Sequence, residues 1–218
     1  MKGKTVALLG LGPSVTDYLE MTKRIGGRHK LADETWCINA LGDVFACDLI
    51  FHMDDVRIQE VRAKANSDSN ISVMLEWLKT CKTPVITSRT HEDYPSLVAF
   101  PLEEVINKYK LEYFNSTAAY AIAYAIHTGV KKLIIFGHDF TYPDAHDAEK
   151  GRACVEFWCG VAISHGMKLD FPPSTTLMDA LHTREERLYG YDTVKVYVKK
   201  HGKKLKYSFE EIKKLAKA

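Results

Sequence analysis

Short apolar runs alternate with helix-patterned stretches through most of this chain, and that alternation limits the folds open to it. The apolar runs are TVALLG (5–10), ETWCINA (34–40), DLIFHMD (48–54), TPVITS (83–88), KKLIIFGHDF (131–140) and the short KLDFPPST (168–175). The helix-like stretches are VTDYLEMTKRI (15–25), VRIQEVRAKA (56–65), ISVMLEWLKTC (71–81), PLEEVINKYK (101–110), TAAYAIAYAIHTG (117–129) and RACVEFWCGVAISHG (152–166). Strands covered on both faces read as continuous apolar runs. Their alternation with helices predicts a doubly wound, mostly parallel α/β sheet with helices on both faces. Residues 1–182 form the main nucleotide-binding domain in this reading, and 183–218 a C-terminal extension, lid or interface, packed on it.

Composition narrows the class further. The formal net charge is only +2, which argues against tight duplex binding driven by phosphate contacts. The basic stretch VKKHGKKLKY (198–207) reads as a solvated tail, with a phosphate-contacting patch as the alternative. Five cysteines without a CxxC pair read as reduced thiols, three of them in apolar runs, and not as a zinc site or disulfide frame. No apolar run approaches the ~20 residues of a membrane span. The first residues lead straight into a strand, so the expectation is a cytoplasmic protein with no membrane partner; a homo-oligomer stays open.

In such sheets ligands bind beyond the carboxyl ends of the strands. The first strand delivers Gly10, Gly12, Pro13 and Ser14 there; the second, Asn39; the third, His52, Asp54 and Asp55; the fourth, Ser88 and Arg89. The strand before the long polar loop TYPDAHDAEKG delivers Gly137, His138, Asp139 and Tyr142. A dinucleotide fingerprint needs a third glycine and an acid after the second strand; here Val15 and Asn39 stand instead. No lysine follows the turn, so the Walker pattern is absent as well. What remains is a small-residue turn capped by Ser14, suited to a mononucleotide's phosphate at a helix N-terminus.

Taken in order, GLGPS, CIN and NSTAAYAIAYAIHTGVKKLIIFGHDF resemble a Rossmann-like superfamily. It includes bacterial sialyltransferases and archaeal 6-hydroxymethyl-dihydropterin diphosphokinase-like proteins, and phage-type proteins share the blocks. The resemblance covers roughly residues 5–142. It implies that Gly10, Gly12, Pro13 and Ser14 cradle the nucleotide, that Asn39 contacts it, and that Ser116 and Thr117 hold its base or sugar. It also implies that Asp139 anchors the site and that Tyr142 reaches a phosphate. Leu11 stands where the sialyltransferases carry asparagine between the glycines, so that contact is lost. The family's general base is a later histidine, for which His146, His165 and His182 are candidates.

Two further clusters carry chemistry. On a helix, His146, Glu149, Arg152 and Glu156 share one face, while the rest of 153–163 is nearly all apolar or small, so a helix buried nearly all round is expected. Arg152 would hold a phosphate bidentately, Glu149 or Glu156 would orient it or bind a metal, and His146 suits a general base near neutral pH. The adjacent Asp54 and Asp55 read either as a helix cap or as a Mg²⁺ site bridging nucleotide phosphates. Three functions follow: a transferase using an activated nucleotide, foremost a nucleotide sugar; a Mg-ATP-dependent diphosphokinase of the pterin type; and a non-catalytic module that binds or sequesters a nucleotide. The acceptor is left open in each.

Overall fold

A computed structural model describes residues 2–65, 70–141, 143–184, 186–189, 196–200 and 203–217. The chain divides into two compact units, Met1–Met178 and Asp179–Ala218. Among the described residues the first unit holds seven strands: β1 (Thr5–Leu9), β2 (Glu34–Ile38), β3 (Leu49–Phe51), β4 (Val85–Thr87), β5 (Leu97–Ala99), β6 (Lys132–Phe136) and β7 (Lys168–Asp170). They form one sheet in the order β5-β4-β3-β2-β1-β6-β7, and every pairing is parallel. The order reverses between β1 and β6, which makes the gap above them the topological switch point of the sheet.

Alternation along the strands sorts their side chains into two cores. Val6, Leu8, Trp36, Ile38, Phe51, Leu133 and Ile135 face one way. Ala7, Leu9, Cys37, Ile50, Ile134 and Phe136 face the other. The first core is roofed by α6 (Thr117–Thr128) and α7 (Ala145–Ser164), the second by α1 (Val15–Ile25) and α4 (Ile71–Thr80). Helices α3 (Val56–Ala65) and α5 (Leu102–Tyr109) flank them, and α2 (Leu41–Val44) is a single turn. Most of α6 can approach the sheet closely because its inward positions are alanine: Ala118, Ala119, Ala121, Ala123 and Ala125 are all buried. Gly26 and Gly129, both left-handed, close α1 and α6, the conformation a helix C-terminus favours in glycine.

Three local expectations are corrected. Ser14 lies in right-handed helical conformation and makes no side-chain cap bond to α1; its hydroxyl is used elsewhere, as described below. Helix α7 begins seven residues before Arg152, at Ala145, because Asp144 caps it by accepting from the N–H groups of His146 and Asp147 at 2.9 and 3.1 Å. And α7 is not buried all round: Ala153, Phe157, Gly160 and Ile163 are exposed. Small and apolar residues on a surface are ordinary, and the apolar run therefore overstated the burial. Replacing Asp144 with alanine should destabilise the protein by about 1 kcal/mol, and with asparagine by much less; the urea midpoint of each variant reads this directly.

The second unit contains an antiparallel hairpin of β8 (Val196–Lys200) and β9 (Lys203–Tyr207), with Val196 opposite Tyr207. A short helix, α8 (Phe209–Leu215), follows. It opens with a capping box in which the Ser208 hydroxyl accepts from Glu211 N–H and the Glu211 carboxylate accepts from Ser208 N–H. The stretch 186–197, read from the sequence as lid or interface, falls partly on 190–195, outside the described residues. Among the described residues no helix is long and apolar enough to cross a membrane.

Candidate functional site

At the switch point lies a cavity of about 450 Å³. Its walls come from four places: the turn after β1 (Gly10 to Pro13), the end of β2 (Ile38, Asn39), the first turn of α6 (Asn115 to Ala118) and the loop after β6 (Gly137 to Thr141). The fold thus brings together Gly10, Gly12, Pro13, Asn39, Ser116, Thr117 and Asp139 from the sequence-derived candidates. Two non-glycine residues in its wall have left-handed backbone, Asn39 at φ 52° and Phe140 at φ 51°. Such conformations cost on the order of 1 kcal/mol or more and concentrate at functional sites.

The turn after β1 is locked to the loop after β6. Gly10 N–H donates to Phe136 O at 2.8 Å and Gly12 N–H to Gly137 O at 2.7 Å. Ser14 N–H donates to Asp139 Oδ2 at 2.8 Å, and the Ser14 hydroxyl oxygen accepts from Gly137 N–H at 2.8 Å. Ser14 and Asp139 are both buried. A Cβ on Gly12 would stand 2.9 Å from Gly137 O, and one on Gly10 would stand 2.6 Å from Cε1 and 2.8 Å from Nδ1 of His138. The glycines therefore admit the β6 loop against the turn. A carboxylate already occupies the first turn of α1, where the positive end of the helix dipole favours an anion, and it answers Ser14 N–H. The helix N-terminus that opens on the cavity without such a carboxylate bond is that of α6. There Ser116 caps by accepting from Ala118 N–H at 3.3 Å.

Helix α7 fixes the approach to α6. Trp158, wholly buried, donates from Nε1 to Tyr113 O at 2.7 Å, and Cys154 Sγ accepts from Asn115 N–H at 3.1 Å. The β6 loop is held from behind as well, since the Thr176 hydroxyl donates to the carbonyl of Asp139. Its second residue, His138, is buried, and burial lowers its pKa to about 4 against the pull of Asp139. Among the described residues, His138 Nε2 and Asp139 Oδ1 are buried without a hydrogen-bond partner, so the wall carries unused polar capacity. His138 is neutral near pH 7.

The remaining candidates sit elsewhere. Glu149 and Arg152 line a second, more open cavity of about 540 Å³, together with Phe140, Ala145, Ala148, Ala153 and Glu156. Phe140 is the wall common to both cavities. Arg152 Nε donates to Glu156 Oε1 at 2.9 Å, and the same oxygen accepts from Met178 N–H at 2.8 Å. His146 is exposed on the first turn of α7. His165 is exposed where α7 ends, its ring against Tyr109, and His182 belongs to the second unit. Asp54 and Asp55 do not line either cavity. Asp55 caps Arg57 N–H at 2.9 Å and faces Arg89 and His91, each at 3.3 Å; these partners hold its carboxyl below the usual range despite desolvation. Its oxygens are spent on those groups, which does not suit a Mg²⁺ ligand. Among the described residues no cluster of three or more histidine, cysteine or acidic side chains could hold a metal. Tyr142 lies outside the described residues. Asn115, Phe140 and Thr141 line the main cavity without having been singled out; Asn115 adjoins the Ser116–Thr117 pair, and Phe140 follows Asp139.

Strand order and crevice together define a Rossmann-like α/β protein with a cavity at its switch point. No protein-family model matches the chain, and no curated protein does. Among solved structures it is similar to the sialyltransferase CstII from Campylobacter jejuni in complex with a substrate analogue, cytidine-5′-monophosphate. The two are 15% identical, with 99% of this chain and 100% of that chain covered, at a TM-score of 0.44.

Proposed function

We propose that the chain is a transferase that takes a mononucleotide-activated donor, foremost a nucleotide sugar, in the cavity between the β1 turn, Asn39 and the first turn of α6. The observation that carries this reading is the cavity itself. Its place at the switch point and the neutral polar groups of Asn39, Asn115, Ser116 and Thr117, which share the lining with His138 and Asp139, suit a nucleoside with one phosphate. A dinucleotide would need its pyrophosphate on the first turn of α1, where Asp139 already accepts from Ser14 N–H. In this reading the phosphate lies at the α6 N-terminus, and Gly10, Gly12, Pro13 and Ser14 shape the crevice more than they hold charge.

The acceptor then occupies the open cavity on the far side of Phe140. Either His146 or Glu149, both on the first turns of α7, takes the proton of its attacking hydroxyl. Arg152, whose Nε donates to Glu156, lines that same open cavity and would meet the acceptor there. Asp139 acts through Ser14, as a positioning residue.

Thermal melts with CMP, CDP, UDP, GDP, AMP and ATP, each with and without Mg²⁺, test this. A metal-independent rise with one nucleotide is expected, about 2.7 kcal/mol of stabilisation at 100 times Kd, followed by turnover of the matching nucleotide sugar. A rise with ATP that requires Mg²⁺ would replace this reading with the diphosphokinase. Binding without turnover would leave a sequestering module, and no binding at all would end the nucleotide reading.

A further inference from the structure

The Asn39 side chain has two faces, and the fold has committed one of them. Asn39 ends β2 in left-handed conformation. Its N–H donates to Phe51 O at 2.9 Å, and its carbonyl accepts from Gly42 N–H at 3.2 Å. Its side-chain Oδ1 lies 3.1 Å from Nδ1 of His52, the first residue after β3. An amide oxygen only accepts, so Nδ1 carries the proton and donates. His52 is buried, and desolvation lowers its pKa. Its Nε2 is a buried lone pair without a partner among the described residues, and the hydrogen-bonded side of the ring fixes Asn39.

From this arrangement we infer that His52 is a positioning residue that fixes the Asn39 amide with its NH₂ turned to the cavity, so that the cavity presents donors at the end of β2. The inference rests on the nucleotide reading above and sharpens it: the ligand must bring an acceptor oxygen to this edge, from phosphate, ribose or a base carbonyl. It also gives a reason for asparagine after β2. A carboxylate there would present only acceptors, and would suit a ligand that brings hydroxyl donors.

Calorimetric titration of the wild type with the six nucleotides named above selects the tightest probe, which is then used on the variants. His52→Leu removes the donor and frees the amide to rotate; affinity should fall about tenfold. Asn39→Ala should lose a similar factor, and the double variant no more than either alone, since both remove one unit. Asn39→Asp should bind more weakly than Asn39→Ala, because it sets an acceptor against an acceptor. His52→Asn places an amide donor near the former Nδ1 and should restore most of the affinity. Restoration separates positioning from packing, because asparagine fills the site no better than leucine.

Full affinity in His52→Leu would overturn the inference. So would a His52→Asn variant as weak as His52→Leu, or losses that add in the double variant. A wild type that binds none of the six nucleotides would overturn the nucleotide reading first, and this inference with it.

Discussion

Gly137→Ala should destabilise the protein by at least about 3 kcal/mol and remove ligand binding, whereas Gly160→Ala should leave binding intact and raise stability by up to about 1 kcal/mol. Gly137 has φ 71°, a conformation that strains any residue with a Cβ. The added Cβ would also stand 2.7 Å from the carbonyl carbon of Gly10 and closer still to its oxygen. Backbone cannot swing aside as a side chain can, so the two strand ends must part. Parting them breaks the bonds of Gly137 to Ser14 and of Gly12 to Gly137, which set the crevice. Gly160 is helical and exposed, and a Cβ there would meet nothing beyond its own helix backbone within 4 Å among the described residues, so alanine adds only helix propensity. Urea denaturation with a nucleotide titration on each variant reads both quantities. A Gly137→Ala protein of wild-type stability would show that the two turns are not locked together.

Stability should fall as pH drops from 6.5 to 4, by roughly 3 kcal/mol from His138 alone. Its pKa is about 4 in the folded protein against 6.5 as the ordinary value, and each pH unit of that difference is worth about 1.4 kcal/mol. The folded pKa is the lower one, so the unfolded chain binds the proton first on acidification. The full stability is present above 6.5 and is lost as pH falls towards 4. His52, whose pKa burial also lowers, shifts the same way. Asp48, tied to Arg28 and to Thr35 N–H, and Asp55 have lowered pKa values. Their contributions fade at still lower pH, as each carboxylate is protonated. Urea midpoints for the wild type and His138→Asn between pH 4 and 8 separate the terms. The variant should show a flatter profile above pH 4, and identical slopes would remove His138 as the cause.

The sheet was legible because its inner strands are buried on both faces. Val6 to Leu9, and Leu133, Ile135 and Phe136, leave almost no surface to water, and a run that apolar has no alternating pattern to misread. β5 escaped for the opposite reason. It has three residues, of which only Leu97 is buried, and it follows polar turn residues. The meeting of Gly10, Asn39, Ser116 and Asp139 was legible too, because parallel topology obliges strand ends and helix starts to converge on one edge. What was not legible depends on register. Ser14 meets Asp139 across 125 residues, and His52 meets Asn39 only because β2 and β3 pair Ile38 with Phe51. The stripe on α7 has the spacing it promised, yet Glu149, Arg152 and Glu156 line a different cavity and His146 lines neither. Helical spacing says which residues share a face and not what that face looks upon.

Phe140 gives the pair of cavities a mechanical property. Its ring rests on Gly151, where a methyl group would stand 2.8 Å from Cε1. The partition between the compartments is therefore set by an absent atom on α7, two turns into the helix. A bulkier residue at 151 would force the ring to shift. What the two chambers can hold therefore depends on the room that α7 leaves for one aromatic ring.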